Sequence, residues 1–389
     1  MIRKIALILA LCLALAGCGQ PGQPATEPTT EPTTEPTTQP TTEPAPVYIN
    51  PLNGEEMDTP LTNRIYAVSI NNVEKSVPHY GVGQADIYFE TFVNWSIIRG
   101  LALYSDIASV PSIGPVRSTR YIFSDILTHF DAVIAHAGGD EQVLQNAKER
   151  GIQGYNIDTE NERLYSFRDK DRSRRGWGWE HCLFAKGAGL VEEAKTREIS
   201  VTQPEDKTYG LTFVENGTPQ EGTPADQIDI HFAFRNTKKD TSMVYDPDLD
   251  KYVYHQYGLR MEDGITGEPE AFRNVVVMYA AITRDQRGYY HADFNQGGTG
   301  YFACGGKYIP IHWSCEALDV PFEFTLEDGT PLTFGRGNTY IALVHEDSTV
   351  DFVTLPESTE TTGETVSQNE TKPEAETIKE TDSEPSDGA

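Results

Sequence analysis

Cysteine is scarce, with five in 389 residues. Cys12 sits inside an apolar leader and Cys18 closes it, so Cys182, Cys304 and Cys315 remain for the folded part. An odd number argues against a disulfide framework. Gly305-Gly306 reads as a two-residue hairpin turn with Cys304 opposite Lys307. That puts Cys315 roughly 26 Å along the strand, where a bridge needs Cα atoms within about 7 Å. Free, buried thiols are expected. No Cys/His spacing suggests a metal site, and no cofactor is expected. Basic charge is also short: 31 Lys and Arg against 59 Asp and Glu, for a net charge of −28. That balance excludes nucleic acid as a partner and a polybasic membrane contact, though not a small anion in a local basic pocket. Catalytic signatures are missing too: no G-x-S-x-G, no H-E-x-x-H, no P-loop.

What is present begins with a leader. Arg3 and Lys4 precede the apolar run Ile5–Leu15, whose eleven residues are too few for a membrane-spanning helix, which takes about 20. Leu15-Ala16-Gly17-Cys18 is a lipobox, with Cys18 the expected lipidation site. Two acyl chains on that thiol give stable anchoring. The expected location is extracytoplasmic, lipid-anchored to the outer face of a bacterial plasma membrane. Residues 1–18 are thus signal peptide and lipobox. Residues 19–46, with repeated E-P-T-T, form a linker without aromatics, and 356–389 an acidic tail with ten acids and two lysines. Neither has anything to bury, and both are expected to be disordered.

Between these tails the pattern changes once. Residues 47–204 mix strands (Arg64–Ile70, Ile87–Phe92, Ile97–Tyr104, Ala132–His136) with helices (from Ser118, Asp140–Arg150, Leu183–Arg197). Residues 205–355 read as short alternating strands: Ile228–Arg235, Lys251–Tyr257, Asn274–Ile282, Tyr289–Phe294, Gly300–Cys304, Lys307–Trp313 and Thr339–Val344. The expected fold class is mixed α+β: an α/β N-terminal domain followed by a mostly antiparallel β C-terminal domain, read as a sandwich or open barrel.

One stretch poses an electrostatic question. "IGPVRSTRYIF" puts Arg117 and Arg120 in what reads as the first turn of a helix capped by Ser118. A cation there costs roughly 0.3–1 kcal/mol, so compensation is expected. One source is an anion, held by Arg117 and Arg120 with His136, the Gly138-Gly139 turn and the Asp140 helix start, at the end of a buried strand. The other is internal, with Asp86 or Glu90 neutralising the arginines, while Asp140 merely caps its helix. As a glycosidase pair Asp86 and Glu90 fail, because four strand residues separate them by about 13 Å, against about 5–9.5 Å for catalytic carboxylates.

Blocks along the chain resemble a known family. "NRIYAVSINNVEKSVPHYGVGQADIYFE", "IGPVRSTR", "HAGGD" and "FRDKDR" are similar to the N-terminal domain of the YerB-like lipoproteins. "NVVVMY", "GGTGYFACGGKYIPIHWS" and "FTLEDGTPLTFGRGNTYIALV" resemble their C-terminal domain. The resemblance covers roughly residues 50–350 and implies architecture and envelope location, with no assigned reaction. After "FRD" the family has a compact Arg-x-Pro-His-Asn-type stretch; here it is loosened to "RSRRGWGWEHC", keeping His181.

The function expected is a membrane-anchored lipoprotein that binds an anionic cell-wall component or an envelope protein. One alternative is a hydrolase or transferase acting on a wall glycan or peptide through Glu90, His136 or His181, with Arg168 and Asp169 as further partners. The other is a non-catalytic envelope scaffold.

Overall fold

The computed structural model describes residues 47–159, 161–204, 207–317 and 319–355. The lipobox with Cys18, the linker and the acidic tail from residue 356 lie outside the described residues. In the first half, β1 is Tyr66–Ile70, β2 Ile87–Asn94 and β3 Ile97–Tyr104. These are followed by α1 (Tyr121–Phe130), β4 (Val133–His136), α2 (Glu141–Glu149), β5 (Gly154–Asn156), α3 (Lys170–Arg174) and α4 (Gly187–Thr196). In the second half, β6 is Gln227–Phe234, β7 Thr237–Asp246, β8 Lys251–Gln256, β9 Asn274–Tyr279, β10 Gly298–Cys304, β11 Lys307–Ser314, β12 Thr339–Val344 and β13 Thr349–Val353.

Both halves contribute to one eleven-stranded mixed sheet. Its order runs Thr223–Pro224, β11, β10, β9, β12, β2, β3, β1, β4, β5, with Glu323–Thr325 added beside β11. The junction is parallel: Tyr340 of β12 lies beside Tyr88 of β2. The second half therefore gives part of its strands to the first half's sheet instead of closing on itself as a sandwich or barrel. β13, β6, β7 and β8, with two short strands, form a separate six-stranded sheet.

Strand composition explains the layering. β2 and β3, "IYFETFVN" and "IIRGLALY", are buried along almost their whole length, as expected of strands covered on both faces. Side chains alternate, so Phe89 faces α1, its ring 5.9 Å from Phe130, while Tyr88 and Phe92 meet Tyr254 and Phe232 of the six-stranded sheet at 6.2 and 5.8 Å. β2 runs antiparallel to β3 and β3 antiparallel to β1, while β1 is parallel to β4, β4 to β5, β2 to β12 and β12 to β9. The carboxyl ends of β1, β2, β4, β5, β9 and β12 thus share one edge of the sheet.

Several local expectations need correcting. The stretch predicted as one helix from Leu183 is a short strand, Leu183–Ala185, paired with Ser166–Arg168, and then α4. The predicted strand Asn274–Ile282 divides after Tyr279: Ala281–Arg284 is a separate strand that pairs with Tyr290–Asp293 instead of continuing in the long sheet. β7 and β13 escaped the reading because "TKKDTSMVYD" and "TVDFV" carry charge; β7 is a strand because β6 and β8 pair with it on both sides. The Gly305-Gly306 hairpin forms as expected, with Cys304 opposite Lys307 and both glycines at positive φ (58° and 74°), as such a turn requires. Cys182, Cys304 and Cys315 are free and buried. No described helix is long and apolar enough to cross a membrane.

Candidate functional site

At the shared edge, β1 and β4 end side by side and residues 116–119 lie across both. The Arg117 N–H donates to the Ser69 carbonyl (2.8 Å), the Ala137 N–H to the Arg117 carbonyl (2.9 Å) and the Thr119 N–H to the Gly138 carbonyl (3.1 Å). The Ser118 hydroxyl donates to the Ala137 carbonyl at 2.8 Å. These bonds hold the segment extended. α1 therefore starts at Tyr121, with Arg120 at its N-cap in a β conformation and no side-chain cap. Arg117 is outside the helix, and Ser118 is not a cap because its hydroxyl is committed to the sheet edge.

A third arginine, which the sequence reading passed over, completes the cluster. Arg99, on β3, is 2% exposed. Its Nη1 donates to the Ser118 carbonyl at 2.7 Å, and its Nε has no partner. Arg117 Nε is also buried and unpartnered. Arg120 donates from Nε to Asn94 Oδ1 (3.0 Å) and from Nη1 to the Thr119 carbonyl (2.7 Å). None of the three has an acidic ion-pair partner among the described residues, and every acceptor named is neutral. Burial first, then the neighbouring Arg120 and Arg117 charges, push the Arg99 pKa well down. A guanidinium nevertheless keeps its proton in a protein, so the site carries concentrated positive charge. The signal in the sequence was one charge inside the otherwise apolar run "IIRGLALY".

The expected internal compensation is absent. Thr91 is the residue opposite Arg99, so by strand alternation Glu90 leaves through the other face of the sheet. There Glu90, 0% exposed, pairs with Lys239. It also accepts from Asn72 Nδ2 (2.8 Å), Thr241 Oγ1 (3.1 Å) and the Tyr340 hydroxyl (2.5 Å). Asp86 accepts from the Ser105 N–H (2.6 Å) and hydroxyl (2.8 Å) and from Asn53 (2.5 Å). Neither carboxylate neutralises Arg117 or Arg120. A cleft of about 830 Å³ opens beside the Glu90–Lys239 pair, lined by Asn72, Lys239, Gln256 and Tyr257 among others.

The other sequence-predicted residues are distributed around this cluster. His136 donates from Nδ1 to the Gly138 carbonyl (2.8 Å), and burial holds its pKa down. It lines a groove of about 680 Å³ with Thr119, Leu144 and Asn156, a lining that includes none of the three arginines. The Gly138 N–H is not free, because it donates to Asn156 Oδ1 at 2.9 Å. Asp140 caps α2 through the Gln142 N–H (3.0 Å) and pairs with Arg287 (3.3 Å), whose other nitrogen donates to the Tyr121 hydroxyl (2.6 Å). The Gly139 N–H has no hydrogen-bond partner among the described residues.

His181 accepts at Nδ1 from Asn71 Nδ2 (2.9 Å), leaving its Nε2 3.7 Å from the exposed Glu180 carboxylate. Burial is the main cause lowering the His181 pKa, with Arg117 adding to it. Asp169 caps α3 through the Asp171 (2.8 Å) and Arg172 (3.0 Å) N–H groups and accepts from the Tyr80 hydroxyl (2.9 Å). Burial alone would raise its pKa, but these bonds outweigh it and hold it low. Arg168 pairs with Asp158 and stacks 3.7 Å over the half-exposed Trp179 ring. The arrangement at the arginines offers donors and positive charge. The carboxylates considered for catalysis are turned to the other face or engaged in structural bonds.

Comparison with known proteins fits this architecture. A family model described as "Protein of unknown function (DUF3048) N-terminal domain" matches residues 52–200, and the corresponding C-terminal domain model matches 228–341. The Bacillus subtilis (strain 168) protein called "Putative lipoprotein YerB" is 26% identical over 301 residues, 76% of this chain and 85% of its own. The fold is similar to the crystal structure of the YerB protein from Bacillus subtilis, with a TM-score of 0.65 at 23% identity, over 78% of this chain and 99% of that one. With both domain models matched in order across the sheet they share, the chain belongs to the DUF3048 family, the family of YerB.

Proposed function

We propose that this protein is a lipid-anchored, extracytoplasmic binding protein that holds an anionic component of the cell envelope at Arg99, Arg117 and Arg120. The observation that carries this reading is the three-guanidinium cluster, one member buried, with no carboxylate paired to it among the described residues. The shared edge, at the carboxyl ends of parallel strands, is where ligands of open α/β sheets sit. The lipobox and the lipoprotein name of the Bacillus relative support the anchor.

Two measurements test it. Cys18→Ala is expected to move the protein out of the membrane fraction and abolish acyl labelling; unchanged retention and labelling would end the lipoprotein reading. Arg117→Ala and Arg120→Ala are expected to leave the melting temperature of the empty protein unchanged or higher, because each removes repulsion. Both should weaken anion-dependent stabilisation. A large drop in both melts, with no anion effect on the parent protein, would leave only a structural role.

A further inference from the structure

Building on that reading, we propose that the cluster is made for a phosphoryl group bearing two or more negative charges, a phosphomonoester or pyrophosphate, with Arg99 the residue that distinguishes it from a carboxylate. Charge is the first ground. Three guanidiniums meet without an acidic partner among the described residues, and one of them is almost fully buried. A carboxylate cancels one of these charges and leaves the remainder in a partly desolvated site. A phosphoryl dianion or pyrophosphate cancels two or three.

Donor geometry points the same way. Arg99 reaches the cluster from within the sheet, whereas Arg117 and Arg120 come from the segment laid across its edge. The Nε groups of Arg99 and Arg117 are both unspent. Donors arriving from two elements match the several oxygens of a phosphoryl group better than the two coplanar oxygens of a carboxylate, and the guanidinium fork suits phosphate in particular. Net charge narrows the choice further. At −28 the protein repels an extended polyanion, so a discrete phosphoryl group in a local positive site is favoured over a long charged polymer.

The test compares inorganic phosphate, pyrophosphate and acetate at matched ionic strength, by thermal shift and calorimetry, on the full chain and on Arg99→Met and Arg99→Lys. Phosphate and pyrophosphate are expected to raise the melting temperature, and acetate not. Arg99→Met should bind pyrophosphate about 10- to 100-fold more weakly, the effect of losing a charged hydrogen-bond donor. It should melt no lower than the parent when empty, since it removes an uncompensated buried charge. Arg99→Lys keeps the charge without the fork and is expected to fall between.

Vesicles of phosphatidylcholine with and without phosphatidic acid separate the sources of the phosphoryl group. Capture by phosphatidic acid that Arg99→Met abolishes assigns a lipid headgroup. Binding of the free anions alone assigns a soluble ester. Equal stabilisation by acetate and phosphate would overturn this inference while leaving anion binding intact. No stabilisation by any anion, with Arg99→Met melting lower than the parent, would overturn both.

Discussion

Lys239→Met is expected to cost about 3–5 kcal/mol of stability, the usual effect of removing one partner from a buried ion pair. Lys239 comes from β7 and Glu90 from β2, so the pair ties the six-stranded sheet to the long one. Lys239 also donates to Thr241 Oγ1 at 2.9 Å, and burial lowers its pKa despite the opposing pull of Glu90. Methionine fills much of the same volume but leaves the Glu90 carboxylate buried without its cation. The double variant Glu90→Gln/Lys239→Met removes both charges and is expected to recover most of the loss. Urea midpoints for the parent, both single variants and the double variant measure the coupling. A single-variant loss below about 1 kcal/mol would show that the pair contributes little to holding the sheets together.

The second large effect is expected at Arg172, 0% exposed in α3. Its guanidinium lies 4.3 Å from the Trp177 ring centre, 4.8 Å from Phe184 and 4.9 Å from Tyr80. It donates to the Ser76 carbonyl at 2.9 Å, the His181 carbonyl at 3.3 Å and the Pro78 carbonyl. Arg172→Ala strands three carbonyls and opens a cavity between the rings, and is expected to destabilise by about 3–5 kcal/mol. Arg172→Met keeps packing against the rings but loses the hydrogen bonds, the charge over the rings and the 3.8 Å ion pair with Asp169, so the difference between the two variants separates packing from the polar contributions. Hydrogen exchange at residues 76–81 should rise in both. A melt within a degree or two of the parent for Arg172→Ala would show that water replaces the lost donors at little cost.

The mixed α+β class was legible in the sequence because its signals are local: β3 and β12 appear with the bounds their apolar runs predict. The "GG" hairpin and the Asp140 cap follow from backbone preferences of single residues. The start of α1 was misread because Ser118 is a good cap in isolation, and only the sheet edge formed by Ser69 and Ala137 engages its neighbours and its hydroxyl. The partnership of Glu90 was beyond local reading, since its cation lies 149 residues away and its ladder neighbour β12 about 250.

The candidate site divides in the same way. Arg117 and Arg120 declared themselves through their spacing in "VRSTR", and Asp86 and Glu90 looked like their partners because they are acids on a neighbouring strand. Which face a strand residue takes depends on pairing register, and register here is set by contacts between residues far apart in the chain. Once Thr91 is paired with Arg99, alternation sends Glu90 to Lys239 and leaves the three arginines together without an acidic ion-pair partner among the described residues. The sequence by itself determined most of the apolar strands, the Gly305-Gly306 turn, the Asp140 cap and the presence of the charges. Only the tertiary structure decided which charges meet, because that depends on register and long-range pairing that no local preference encodes.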